Sequence, residues 1–224
     1  MRLRALIFDV DGTLAETEEI HRIAFERAFE EDGLGWRWDV DLYRALLRVT
    51  GGRERIRHFV ATRGVEPIDE ARIARLHGRK NEIYGEIVAA GGVALRPGVA
   101  ALVERARATG LRLAMATTTS RSNVEALLAG SFGGFPDGLF DPIVTGEDVT
   151  AKKPDPEAYT LALARLGLAA EDCLAFEDSW NGLTAARGAG LRTIVTPSLY
   201  TAPEAFAGAA AIVADLTRFD LAAW

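Results

Sequence analysis

The sequence predicts an α/β protein: a doubly wound parallel sheet with a small helical domain inserted early in the chain. Three observations predict it. Short continuous apolar runs recur along the chain, helical patterns separate most of them, and one long stretch from residue 17 to about 90 carries helical periodicity alone. Apolar runs of strand length suit strands buried on both faces, as in a parallel sheet. Their alternation with helices is the pattern of a doubly wound sheet. A length of 224 residues suits one large domain, or a core domain carrying an insertion.

The elements follow in order. Strands are expected at residues 3–8, 111–116, 143–145, 173–176, 193–195 and 211–213. Between them, residues 99–108 read as a helix that stops at Gly110, and residues 122–128 as one that ends near Gly130. Residues 156–166 begin after Asp155, a good N-cap, with Pro156 at the first helical position. Residues 181–187 end at Gly188. The insertion shows four apolar helical faces: Ile20, Ile23, Ala24, Ala28 and Phe29; then Leu42, Leu46 and Val49; then Ile56, Phe59 and Val60; then Ile73, Leu76, Ile83 and Ile87. The expected division is a core of residues 1–16 and 92–224 with a helical domain of residues 17–91. Two connections at one edge of a small domain can act as a hinge.

Composition narrows the function classes. Hydrophobic residues make up 49% and charged residues 26%, both ordinary for a folded globular chain. The single cysteine, Cys173, lies in an apolar run and reads as a buried small residue, and no Cys/His cluster suggests zinc. The first apolar run is too short for a signal peptide and ends in Asp9 and Asp11, and no membrane-length apolar stretch occurs. A cytoplasmic monomer is expected, with no membrane partner. A net charge of −6 argues against nucleic acid as a partner.

The chemistry gathers at strand ends. Asp9 and Asp11 follow the first strand directly, before Gly12 and Thr13, and ligands of α/β sheets bind outside the carboxyl ends of strands. By itself such an Asp-Gly pair reads equally well as a solvated turn. Three further strand ends change that balance. Thr117, Thr118, Thr119 and Ser120 offer hydroxyls and amides to a phosphate, or cap the next helix. Lys153 is fixed by Pro154 and the helix start behind it, and Glu177 and Asp178 add two more acids. Carboxylates, hydroxyls and a lysine at four strand ends form the inventory for a hard cation, a phosphate and a nucleophile.

Asp9-Val10-Asp11-Gly12-Thr13, Thr117, Lys153-Pro154 and Glu177-Asp178 resemble, in order and spacing, the four signature motifs of the haloacid-dehalogenase-like (HAD) superfamily. The helical insertion looks like the small cap of its beta-phosphoglucomutase-like branch. Within that branch the chain is most similar to the CbbY-like phosphatases, which are associated with the Calvin cycle and act on xylulose 1,5-bisphosphate. The resemblance implies a Rossmann-like core, Mg²⁺ as cofactor, and a small anionic sugar phosphate as substrate. It implies Asp9 as nucleophile forming an aspartyl-phosphate, Asp11 as general acid and base, and Thr117 and Lys153 as phosphoryl ligands. The metal would be held by Asp9, the Asp11 carbonyl and Asp178, with Glu177 acting through water. The cap and hinge positions Glu18, His21, Thr50, Gly51, Gly52, Arg53 and Lys80, with Thr118 and Thr119, would face the substrate.

The cap's charge is a separate clue. Residues 44–80 hold ten basic residues against four acidic ones, whereas the rest of the chain holds sixteen against twenty-eight. A basic lid over an acidic core suits a strongly anionic substrate. Arg72, Arg75 and Arg79 fall on one helical face, and Arg53 follows Gly51-Gly52, where backbone can approach a ligand. Arg53 is the first choice for a second phosphate, with Arg75 and Lys80 behind it. Other readings are a sugar phosphomutase, a different sugar- or glycolate-phosphate phosphatase, or a phosphate-sensing protein without catalysis.

Overall fold

The computed structural model describes residues 3–91, 93–132 and 138–224. The sheet has six parallel strands: β1 (Ala5–Phe8), β2 (Arg112–Ala116), β3 (Ile143–Val144), β4 (Cys173–Glu177), β5 (Arg192–Val195) and β6 (Ala211–Ile212). Their order is β3-β2-β1-β4-β5-β6. Chain order reverses direction at β1, so the crevice above β1 and β4 is the expected ligand site of such a sheet.

Period-two alternation sends neighbouring side chains into two separate cores. Leu6, Phe8, Leu174 and Phe176 face α5 (Val99–Ala108) and α6 (Arg121–Ser131). Ala5, Ile7, Cys173 and Ala175 face α7 (Glu157–Leu166) and α8 (Trp180–Gly188). Small residues on the second face let those helices lie close, and Cys173 is one of them. Both faces are covered, which explains why the strands read as continuous apolar runs. The expected start of the helix near 156 shifts by one residue. Pro156 is itself the N-cap, while the Asp155 side chain accepts the Glu157 N–H at 2.9 Å.

Between β1 and β2 lie α1 (Glu18–Glu31), α2 (Val40–Leu46), α3 (Gly52–Arg63) and α4 (Glu70–Ala89), which build two apolar clusters that Tyr200 and Ala126 join from the core. Phe25, Phe29, Trp38, Tyr43, Ile56 and Phe59 centre one cluster; Ala24, Ala28, Ile83 and Tyr84 centre the other. Gly92, the expected domain boundary, lies outside the described residues. The two connecting strands of chain meet: Ala15 bridges Leu95, and the Arg96 N–H bonds the Leu14 carbonyl at 2.8 Å. No helix among the described residues is long and apolar enough to cross a membrane.

Candidate active site

Four strand ends converge on one cavity of about 510 Å³. Its floor is the carboxyl edge of the sheet and its roof is the helical insertion. Asp9 leaves β1 with its N–H on the Phe176 carbonyl at 3.0 Å, so the nucleophile candidate is still held by the sheet ladder. Gly12 then turns the chain at φ +77°, and a side chain there would overlap the Asp178 carboxylate. Glycine at this place satisfies both the left-handed turn and the close approach.

The β2 end contributes Thr117, whose N–H bonds the Val144 carbonyl at 3.0 Å and whose hydroxyl accepts the Thr119 N–H at 3.2 Å. Thr118 and Thr119 also line the cavity. Helix α6 starts from Ser120, so the threonines are not its N-cap. After β3, Glu157 accepts the N–H groups of Thr150 and Ala151 at 3.0 and 2.6 Å, tying down the loop that presents Lys153. Helix α8 is capped by Ser179, which accepts the Gly182 N–H, leaving Glu177 and Asp178 for other work.

Charge is concentrated here. Lys153, 5% exposed, donates to Asp9 Oδ1 and to Glu177 Oε1, both at 2.6 Å. Asp9, Glu177 and Asp178 place oxygens within 4.8 Å of one another. Burial and the neighbouring Glu177 push Asp9 up to about 8, although Lys153 pulls the other way. Burial, Asp9 and Glu177 push Asp178 well above the carboxylate range. Lys153 alone does not balance three acids. A hard divalent cation among these oxygens would do so, and the donor set fits one. Asp9 and Asp178 line the cavity, whereas Glu177 is fully enclosed behind it, its carboxylate in contact with Lys153 and the Asp178 N–H.

Asp11 has different surroundings. Thr17 Oγ donates to its Oδ1 at 2.5 Å, and His21 Nε2 lies 3.0 Å from the same oxygen. Lys80 Nζ sits 2.7 Å from the other His21 nitrogen. Burial pushes Asp11 up, but His21, Thr17 and Lys80 outweigh it and hold the group well below the usual carboxylate range. Burial lowers Lys80 to about 7. His21 and Lys80 belong to α1 and α4, so the ionisation of Asp11 is set from the helical insertion.

The insertion also brings Glu18, Thr50, Gly51, Gly52 and Arg53 to the cavity wall. Arg53 makes no ion pair among the described residues. Arg75 is exposed and does not reach the cavity. The basic face of α4 is also largely consumed: Arg72 pairs with Asp32 and Arg79 with Glu31, both at 2.6 Å. The surplus counted over residues 44–80 left out the acids of α1, which fold against it.

Several cavity residues carry no sequence motif. Lys152 donates to both oxygens of Glu54 at 2.9 and 3.0 Å, joining core to insertion. Asn181 donates to the Thr50 hydroxyl and the Arg48 carbonyl, each at 3.2 Å. Asn123 donates to Asn81 at 3.3 Å. His77 also lines the wall, held neutral with its pKa lowered to about 3 by burial and by Lys80, Arg53 and Lys152. Thr201 donates to Asp178 Oδ2 at 3.2 Å, while Tyr200 beside it stands edge-on to Tyr43 of α2. Lys152 and Asn181 adjoin recognisable motifs; Tyr200 and Thr201 have no local signal at all.

Known proteins match the chain in sequence and in fold. Residues 3–190 match the family model described as haloacid dehalogenase-like hydrolase. The CbbY protein of Rhodobacter capsulatus is 52% identical over 217 residues, covering 97% of this chain and 95% of that protein. The crystal structure of CbbY from Rhodobacter sphaeroides in complex with phosphate superposes with a TM-score of 0.93 at 48% identity, covering 96% of each chain. A mutant of the same protein, in complex with xylulose-(1,5)bisphosphate, gives the same values. A beta-phosphoglucomutase from Clostridium difficile, 17% identical with a TM-score of 0.82, shares the fold across 99% of this chain and 95% of that one. The strand-end acids, the lysine between them and the helical insertion thus stand in a frame that sequence and structure both match, and the chain belongs to the haloacid dehalogenase-like hydrolases.

Proposed function

We propose that the chain is a Mg²⁺-dependent phosphatase of sugar bisphosphates, with xylulose 1,5-bisphosphate as the expected substrate and Asp9 as the nucleophile. As a hydrolase of this family related to CbbY proteins at about half identity, it is a sugar-phosphate phosphatase. The observation that carries the finer reading is the convergence of Asp9, Lys153, Thr117 and Asp178 on one wall of a cavity whose opposite wall holds Arg53 and Lys80.

The chain's own residues divide the work. Asp9 attacks phosphorus and takes the phosphoryl group as an aspartyl-phosphate. Lys153 and the Thr117 hydroxyl bind phosphoryl oxygens and stabilise the charge that develops on them. Asp9, the Asp11 carbonyl and Asp178 would hold Mg²⁺, which supplies the positive charge that lets a carboxylate approach a phosphoryl group. Asp11, held as a carboxylate, is in the form that accepts a proton from the water that cleaves the aspartyl-phosphate. Its earlier task, donation to the leaving sugar oxygen, requires a raised pKa. His21 and Lys80, which hold Asp11 ionised from the insertion, are the groups whose hold would have to loosen for it. Arg53 receives the phosphate that is not cleaved.

The test is phosphate release from a panel of sugar mono- and bisphosphates, with glucose 1-phosphate isomerisation run beside it. Preference for a pentulose bisphosphate is expected. A wide preference for monophosphates would end the bisphosphate reading, and net isomerisation without phosphate release would make the chain a mutase.

A further inference from the structure

Glu177 is fully enclosed, and its carboxylate accepts hydrogen bonds from three groups. Its Oε1 accepts from Lys153 Nζ and from the hydroxyl of Tyr159, both at 2.6 Å. Its Oε2 accepts the Asp178 N–H at 3.2 Å. On the remaining side stands Gly182 of α8, where a methyl group would overlap the carboxylate. The carboxylate is therefore boxed in, and of the three groups that donate to it Tyr159 is the one with no motif and no place on the cavity wall.

Tyr159 projects from α7 into a layer of Ala158, Ala162 and Ala175, and is fully buried. A hydroxyl in such a layer is costly unless it has a partner. Its partner is the oxygen that Lys153 also uses. The ring has a second contact, with Lys153 Nζ 4.9 Å from its centroid. Burial, Glu177 and Asp9 hold the phenol far above its ordinary range, so it stays a donor.

An ammonium has three donors. Lys153 uses one on Asp9 and one on Glu177, and it lines the cavity where the third can meet a phosphoryl oxygen. The location of Nζ follows the location of Glu177 Oε1. We infer that Tyr159 is a positioning residue for phosphoryl transfer: its hydroxyl pins Glu177 Oε1 and its ring supports the ammonium, so that Lys153 keeps one N–H toward the substrate. Without the hydroxyl, Glu177 is free to turn and draws Lys153 down from the cavity.

Tyr159→Phe keeps the ring and removes the hydroxyl. The assay uses p-nitrophenyl phosphate, so its outcome is independent of which sugar the enzyme takes. The kcat is expected to fall about tenfold while KM changes less than about twofold, since Lys153 acts mainly on developing charge. The effect must also pass through Glu177. In a Glu177→Gln background the same substitution should cost less than about twofold more. A purely structural tyrosine would instead lower the unfolding midpoint and leave kcat intact below it. Wild-type kcat in Tyr159→Phe, or an undiminished tenfold loss in the Glu177→Gln background, overturns the inference. If Tyr159→Phe fails to fold, Gly182→Ala tests it from the other side by displacing the carboxylate with Tyr159 in place. Its kcat should fall with KM unchanged, and a wild-type kcat there overturns the inference equally.

Discussion

A carboxylate that attacks phosphorus must be ionised, yet Asp9 is held near 8 by burial and by Glu177. Asp9→Asn keeps the shape, removes the nucleophile and lowers the local crowding of charge. Turnover should drop by several powers of ten, with an unchanged circular dichroism spectrum; wild-type turnover in the folded variant would remove Asp9 from the mechanism. The strand-end residues were legible because each follows a buried apolar run, so its place at the sheet edge follows from register alone. The cap contacts were less so. Arg53 and Arg75 look alike in sequence, and only packing places one on the cavity and leaves the other in solvent. That contrast gives a paired test. Loss of a charge-assisted hydrogen bond costs about 1.5–3 kcal/mol, or roughly tenfold to a hundredfold in catalytic efficiency. Arg53→Ala should show that loss on a pentulose bisphosphate and much less on p-nitrophenyl phosphate, while Arg75→Ala should match wild type on both. Equal loss on both substrates for Arg53→Ala would assign it to folding or closure.

At the scale of elements, the insertion is joined to the core by two adjacent segments, by polar contacts at the rim and by the packing of α4 on α6 and of Tyr43 on Tyr200. Arg96 organises the joint: it pairs with Glu16 at 3.1 Å and donates to the carbonyls of Gly12, Thr196 and Pro197. It thereby links the return connection to the turn after Asp11 and to the loop after β5. The Lys152–Glu54 pair and the Asn181–Thr50 bond close the far side. Opening a lid here would break these rim contacts together with the packing of α4 on α6 and of Tyr43 on Tyr200, while the aromatic centre of the insertion and the two faces of the sheet stay whole. Amide exchange in residues 16–20 and 93–98 should slow when a phosphate analogue saturates the cavity; an unchanged pattern would mean a fixed lobe. Helix periodicity made all four inserted helices legible, since each needs only its own sequence. The joint was not, because Arg96 and Tyr200 find their partners far along the chain, Arg96 on Gly12 and Thr196 and Tyr200 on Glu19, where local pattern carries no information. The same limit produced the overestimate of a basic lid. Arg72 and Arg79 are balanced by Asp32 and Glu31, acids of a neighbouring element rather than of their own.

For the whole molecule, the core of residues 1–16 and 92–224 carries thirteen basic and eighteen acidic residues, and the acidic cluster found among its described residues is Asp9–Glu177–Asp178. The stability of the metal-free protein should register that crowding. Asp9 moves from an ordinary value of 3.8 to about 8 on folding. Between those values the folded state holds more of the proton than the unfolded state, so metal-free stability falls as pH rises through the window. A divalent cation bound by the ionised form opposes that loss. The unfolding midpoint should therefore rise on adding Mg²⁺, and by more at pH 8 than at pH 5. Activity should vanish in excess chelator and return with Mg²⁺. Ca²⁺ should replace it poorly, because it prefers more ligands in looser geometry. Asp178→Ala should raise the Mg²⁺ concentration needed for half-activity and shrink the Mg²⁺-dependent gain in midpoint, since it removes a ligand and leaves Lys153 in place. Undiminished turnover in chelator, with a midpoint indifferent to Mg²⁺ at both pH values, would show that Lys153 alone balances the cluster and that phosphoryl transfer here proceeds without a metal.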